Sequence, residues 1–174
     1  YGSYASTDVY YRKPLTFHTC NPQAPATSFV MVNDIHGDNK LLEDLMSRCN
    51  LTQTDFVLFN GDMLSFINSE DQLFKGFMDT AVRLFASEIP MYYARGNHET
   101  RGVFATEIQR YFSPCQEHLY YAFRQGPVYC IVLDTGEDKP DSDIEYAGIT
   151  QYDLYRTEQS EWLASILEST EYKE

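Results

Sequence analysis

A chain of 174 residues with 43% hydrophobic and 15% aromatic content is long enough to bury one core, and this excludes a disordered or fibrous protein. The formal net charge of −13 excludes nonspecific binding along a nucleic-acid backbone, which needs a basic surplus. No apolar run approaches the ~18 residues that a membrane span requires.

Residues 1–26 read as the tail of an upstream β segment plus linker: Tyr10, Tyr11, Leu15 and Phe17 flank Pro14, and the breaker-rich NPQAPA follows. Residues 27–174 form the second unit. Its rhythm is strand, helix, strand, helix, the mark of an α/β fold. Phe29 to Asn33 is a short apolar strand, and Leu41, Leu42, Leu45 and Met46 recur at helical spacing behind it. Phe56 to Asn60 is the second strand. Ser69 with Gln72 resembles a capping box, opening a helix whose apolar face carries Leu73, Phe74, Phe77, Met78, Val82 and Phe85. Pro90 ends that helix, Met91 to Ala94 supplies a third strand, and a helix around Val103 to Phe112 stops before Pro114.

The pattern then changes. Leu119 to Arg124 and Val128 to Leu133 flank the turn-like Gln125-Gly126-Pro127, which predicts a hairpin. Glu137 to Gly148 reads as a long acidic loop. Thr157 to Thr170 carries Trp162, Leu163, Ile166 and Leu167 on one helical face, with Thr157 as its cap. Cys20, Cys49, Cys115 and Cys130 form no C-x-x-C pair, and Cys130, inside VYCIVL, is expected to be a buried thiol. Their even number permits disulfides without requiring them.

Three of the apolar runs end in polar clusters: Asp34-Ile35-His36 after FVMVN, Gly61-Asp62 after FVLFN, and Gly96-Asn97-His98-Glu99 after MYYAR. Side chains i and i+2 of a strand share a face, so Asp34 and His36 can converge if the extended geometry persists. A carboxylate beside an imidazole suits zinc, iron or manganese. Singly, each cluster also reads as an ordinary turn, with Asp38 or Asn39 capping the following helix. Ligands of open α/β sheets gather at the carboxyl ends of strands, so together the three clusters point to one metal-binding rim.

On these blocks the chain resembles the N-terminal part of the catalytic domain of a calcineurin-like metallophosphoesterase. Its linker after an aromatic strand and the order of its late elements are similar to purple acid phosphatase-like members. The D-x-G of true purple enzymes is D-x-H here, and no tyrosine occurs in Gly61-Asp62-Met63-Leu64-Ser65-Phe66, so the general phosphoesterase type is expected without an iron-tyrosinate chromophore. The resemblance implies a layered α/β/β/α sandwich, incomplete at the C-terminus. Asp34 and His36 would bind a first metal, Asp62 would bridge, and Asn97 would bind a second. Two divalent or trivalent ions (manganese, iron or zinc) are implied for the complete protein and one for this chain, because the family's later histidines have no counterpart after His118. His98 would be the catalytic donor to the phosphate or leaving oxygen.

Arg95 and Arg101 flank the third block as candidate phosphate-binding groups, with a structural role as the alternative and Glu99 as the obvious ion-pair partner. His18 and His118 read as structural. The resemblance implies hydrolysis of a phosphate mono- or diester as substrate and favours an extracytoplasmic location. An incomplete sheet would leave an edge through which copies or a partner could associate. The rival reading is a non-catalytic phosphoesterase-like scaffold, or a fragment that needs a partner chain.

Overall fold

The computed structural model describes residues 14–19, 21–112 and 118–173. The expected strand around Tyr10 and Tyr11, together with Cys20 and Cys115, lies outside them. Three strands, β1 (Phe29–Val32), β2 (Phe56–Asn60) and β3 (Met91–Ala94), form a parallel sheet in the order β1-β2-β3. Each crossover is helical, so the α/β fold read from the alternating pattern is the one observed. β2 is central and its Phe56, Val57 and Phe59 are fully buried. β1 lies at an edge and is less buried than a continuous apolar run suggests, with Phe29 and Met31 exposed.

The first helix, Asn39–Met46, is capped by Asp38, whose Oδ1 accepts from the Leu41 amide at 3.0 Å. Leu42 and Met46 point into the core while Leu41 and Leu45 are exposed, so its apolar stripe is narrower than the four leucine and methionine positions imply. The second crossover is one helical rod over 70–86. It is α-helical at Glu70–Leu73 and Asp79–Ala81 and π-helical at Phe74–Met78 and Val82–Ala86. Ser69 caps it by accepting from Gln72 N, and Gln72 Oε1 reaches back to the Asn68 amide. The π turns rotate the face from the simple 3.6 period, and Val82, expected inside, is exposed. Around Val103 to Phe112 the only regular element is a 3₁₀ segment, Ala105–Arg110, rather than an α-helix.

β4 (Tyr121–Gln125) and β5 (Val128–Val132) form the expected antiparallel hairpin. It packs beside the parallel sheet through a stack of Phe123 on Tyr92, with centroids 3.7 Å apart. The Tyr121 hydroxyl lies 3.1 Å from Tyr93 N and 3.0 Å from Tyr93 O, so a side chain satisfies the backbone on the free side of β3. Cys130 on β5 is half-buried rather than fully buried, and Cys49 and Cys130 are free thiols.

The last long helix runs Tyr152–Glu168 and begins five residues before Thr157, which is therefore not its cap. Asp141 takes that role from a distance, accepting from the Tyr152 and Asp153 amides at 2.9 and 2.8 Å. The spacing alone could not reveal a cap supplied by a residue eleven positions before the helix start. No described helix is long and apolar enough to cross a membrane.

Candidate metal centre

The loops after β1, β2 and β3 meet at one rim, as the strand-end rule requires. The loop after β1 is hydrogen-bonded along the loop after β2: Asp34 N to Gly61 O at 3.2 Å, His36 N to Asp62 O at 3.0 Å and Gly37 N to Met63 O at 2.8 Å. Ile35 and Met63 point into the core and pin this double loop. Asp34 and His36 do not reach the site by strand alternation, because β1 ends at Val32 and both residues are left-handed, with φ of 55° and 52°. Asp62 is left-handed too, at φ 54°. Left-handed non-glycine residues cost about 1–3 kcal/mol each, and such strain persists where the surroundings over-determine it, as at ligand clamps.

The approach of β2 to β3 depends on two glycines. A Cβ on Gly61 would lie 2.6 Å from Gly96 Cα, and one on Gly96 would lie 2.2 Å from Asp62 Oδ1. The backbones therefore touch, and the Asp62 carboxylate lies against the third loop, where its Oδ1 accepts from His98 N at 3.2 Å. Beneath them Glu99, fully buried, accepts from the Asp62, Leu64 and Gly96 amides at 3.0, 2.9 and 3.0 Å. Burial raises the Glu99 pKa above the ordinary carboxylate value, against the pull of these three N–H groups.

His36, Asp62 and His98 each present a ligand atom within 4.8 Å of the other two. Asp34 Oδ1 is 3.6 Å from His36 Nε2, and Asp34 Oδ2 is bound by Asn33 Nδ2. The imidazoles of His36 and His98 meet edge to face at 4.8 Å between centroids. His36 Nδ1 lies 3.3 Å from Ser65 Oγ. His98 Nδ1 lies 3.1 Å from the Ser65 carbonyl, which can only accept, so the ring proton sits on Nδ1 and Nε2 is left for a ligand or a proton. The group whose ligand atoms converge is His36, Asp62 and His98, with Asp34 beside His36 but outside it; two imidazoles and a carboxylate suit a borderline divalent cation, and the residues present fit one.

Asn97, on the loop after β3, donates its amide nitrogen to Glu137 Oε2 at 3.2 Å. Arg101 grips the same carboxylate, Nε to Oε1 at 2.7 Å and Nη2 to Oε2 at 2.9 Å. These bonds, Arg101 first, hold the Glu137 pKa down at about 2. Arg101 Nη1 is 3.2 and 3.5 Å from the two ring nitrogens of His98, which places the guanidinium against the ring face.

Arg95 points elsewhere. Its Nη2 pairs at 2.9 Å with the fully buried Asp134, which also accepts from the Tyr155 hydroxyl at 3.0 Å. The expected pairing of either arginine with Glu99 is therefore wrong: backbone amides occupy Glu99, and Asp134 and Glu137 take the guanidinium groups. Both acids come from the segment after β5: Glu137 reads only as the start of an acidic loop, and Asp134 lies just before it. A signal was present, since VYCIVLDTGE repeats the pattern of an apolar run ending in glycine and an acid. His118 pairs with Glu158 at 3.1 Å, outside this rim.

The family model described as calcineurin-like phosphoesterase matches residues 27–172. No curated protein matches the chain.

Proposed function

Because the chain belongs to the calcineurin-like phosphoesterase family, we propose that it serves metal-dependent hydrolysis of a phosphate mono- or diester, with Asp34, His36, Asp62 and Asn97 as the metal-holding residues. The observation that carries this reading is the convergence of His36, Asp62 and His98 within 4.8 Å. When bound, the ions supply Lewis-acid polarisation of the phosphoryl group and an activated water.

The chain's own residues do the rest. Asp34 and His36 would hold the first ion, and Asp62, lying between the first and third loops, would be the carboxylate that the two ions share. Asn97 is a neutral donor for the second ion. Asp34, His36 and Asp62 give the first ion three ligands, whereas Asp62 and Asn97 alone give the second only two, so the first site is the tighter in this chain. His98, with Nδ1 held by the Ser65 carbonyl, presents Nε2 to protonate a leaving oxygen or to donate to the phosphoryl group. Arg101 spreads positive charge over the His98 face, and a net acidic protein needs such local cationic help to hold an anion. The Gly61 to Phe66 segment, without a tyrosine, supports the general phosphoesterase type over a purple enzyme.

The test is turnover of an aryl phosphate with Mn²⁺, Zn²⁺ or Fe²⁺ restored to chelator-stripped protein, with bound metal counted in parallel. Metal-dependent release of phosphate is the expected result. Full activity in the stripped protein contradicts the reading.

A further inference from the structure

We infer that Glu137 is a positioning residue for the centre: it fixes which end of the Asn97 amide faces the metal rim and holds Arg101 against His98. The inference rests on the proposed metal function for its purpose, but its geometric core does not.

An asparagine amide has a donor end and an acceptor end, and only the oxygen can ligate a cation. A carboxylate cannot sit next to the amide oxygen without repulsion, so Glu137, 3.2 Å from Nδ2, draws the nitrogen toward itself and leaves the oxygen as the end available to a cation. The carboxylate is itself immobile. It is buried, gripped at both oxygens by Arg101, and flanked by the Thr100 hydroxyl at 3.2 Å from Oε1. Thr100 in turn donates to the Asn97 carbonyl at 2.7 Å. One residue from the β5 loop therefore holds the side chain of Asn97, while the single Thr100 proton, given to the Asn97 carbonyl, fixes its backbone.

The same carboxylate sets Arg101. Glu137 is the bidentate anchor of this partly exposed guanidinium and the largest of its attractions, ahead of Asp138 and Asp62, and it holds Nη1 3.2 Å from His98 Nδ1. Among the described residues Glu137 forms no hydrogen bond with His36, Asp62 or His98, so it acts through Asn97 and Arg101. Partners of this kind, one step from the ligands, typically change metal affinity 10–100-fold when removed.

The experiment uses the full 174-residue chain and two readouts. In metal-free protein, the Asn97 side-chain amide is followed by ¹⁵N NMR in wild type and Glu137→Ala, with circular dichroism reporting the fold. One Nδ2 proton displaced by its carboxylate partner, and returned to the free-amide position in Glu137→Ala, is expected. Mn²⁺ titration, counting free ion by electron paramagnetic resonance, should then show the weaker uptake phase shifted about tenfold or more with the tighter phase unchanged.

An amide resonance that Glu137→Ala leaves in place overturns the inference, as does an unshifted weaker phase. Should Glu137→Ala not fold, the pair Asn97→Asp and Asn97→Asp/Glu137→Gln decides. Facing carboxylates should depress Mn²⁺ uptake in the single variant, and the glutamine, donating across the gap, should restore it. A double variant no better than Asn97→Asp overturns the inference. Wild-type chain that takes up no Mn²⁺ defeats the proposed function and the metal-directed half of this inference, while the amide readout still judges the geometric half.

Discussion

The buried carboxylate of Glu99 lies 3.0 Å from the backbone amide of Asp62, so the acid next to the histidine of one loop holds the carboxylate-bearing residue of another. The same side chain takes the Leu64 and Gly96 amides. Replacing it by alanine leaves three donors inside the protein without acceptors, each costing about 1–3 kcal/mol. Glu99→Ala should lose about 3 kcal/mol or more of stability, because the burial cost of the charge that is removed offsets part of the sum. Urea denaturation measures this, and a loss below about 1 kcal/mol would show that water or a shift of the loops replaces the brace.

Gly96→Ala tests the backbone contact itself. The added Cβ would meet Asp62 Oδ1 at 2.2 Å and Asp62 N at 2.4 Å, and neither can retreat, since the nitrogen is backbone and the oxygen also accepts from His98 N. Overpacking of this kind costs about 1–3 kcal/mol, and here the displacement moves the Asp62 carboxylate, the group proposed to be shared. Metal uptake should fall by more than stability alone explains. Variant protein with wild-type Mn²⁺ binding would mean that the two loops need not touch.

The strands, the hairpin and the three clusters were legible in the sequence because each depends on local pattern: an apolar run, a turn dipeptide, a glycine beside an acid. The conformation of Asp34 and His36 was not, since alternation predicts an extended path and their left-handed backbone is imposed by hydrogen bonds to the loop after β2. Glu137 and Asp134 were hidden for a similar reason. A buried acid inside an acid-rich stretch looks like its solvated neighbours until a guanidinium from another element reaches it. The remote capping by Asp141 and the rotation by π turns that exposes Val82 likewise arise from tertiary contacts, to which periodicity is blind.

An alkaline limb of instability should come from Tyr121. Burial lifts its pKa from 10.0 to about 12, outweighing the lowering by its bond to the Tyr93 backbone. The folded-state value lies above the unfolded one, so the stabilisation is fully present below pH ~10 and is lost as pH rises toward ~12, up to about 3 kcal/mol. Tyr121→Phe should be less stable at neutral pH by about 1–3 kcal/mol, through the unsatisfied Tyr93 amide and carbonyl. Its stability should then fall less steeply, so that the two proteins converge near pH ~12. Urea curves at neutral pH and about pH 11 check this. Parallel pH profiles would show that the Tyr121 hydroxyl does not sense its burial.

Asp62 and His98 should separate cleanly in kinetics. Asp62 is within ligand reach of both His36 and His98, accepts the His98 amide and is held through its own amide by Glu99; its carboxylate is the group that the first and third loops have in common. On the proposed function Asp62→Ala takes away the shared ligand, so bound metal and turnover should fall together. His98→Ala removes a ring whose Nδ1 is committed to the Ser65 carbonyl, leaving Asp34, His36 and Asp62 for the first ion. Its metal content should stay near wild type while kcat on an aryl phosphate drops about 10²–10⁴-fold, the range expected for loss of a positioned proton donor. The ranking follows from what each variant takes away: a proton-transfer group assists one step, whereas the shared carboxylate is needed before any step. Steady-state kinetics with metal analysis on the same preparations decides it. Asp62→Ala protein with full metal and a near-normal rate would remove Asp62 from the centre, and His98→Ala protein that also loses its metal would make His98 a ligand rather than the donor.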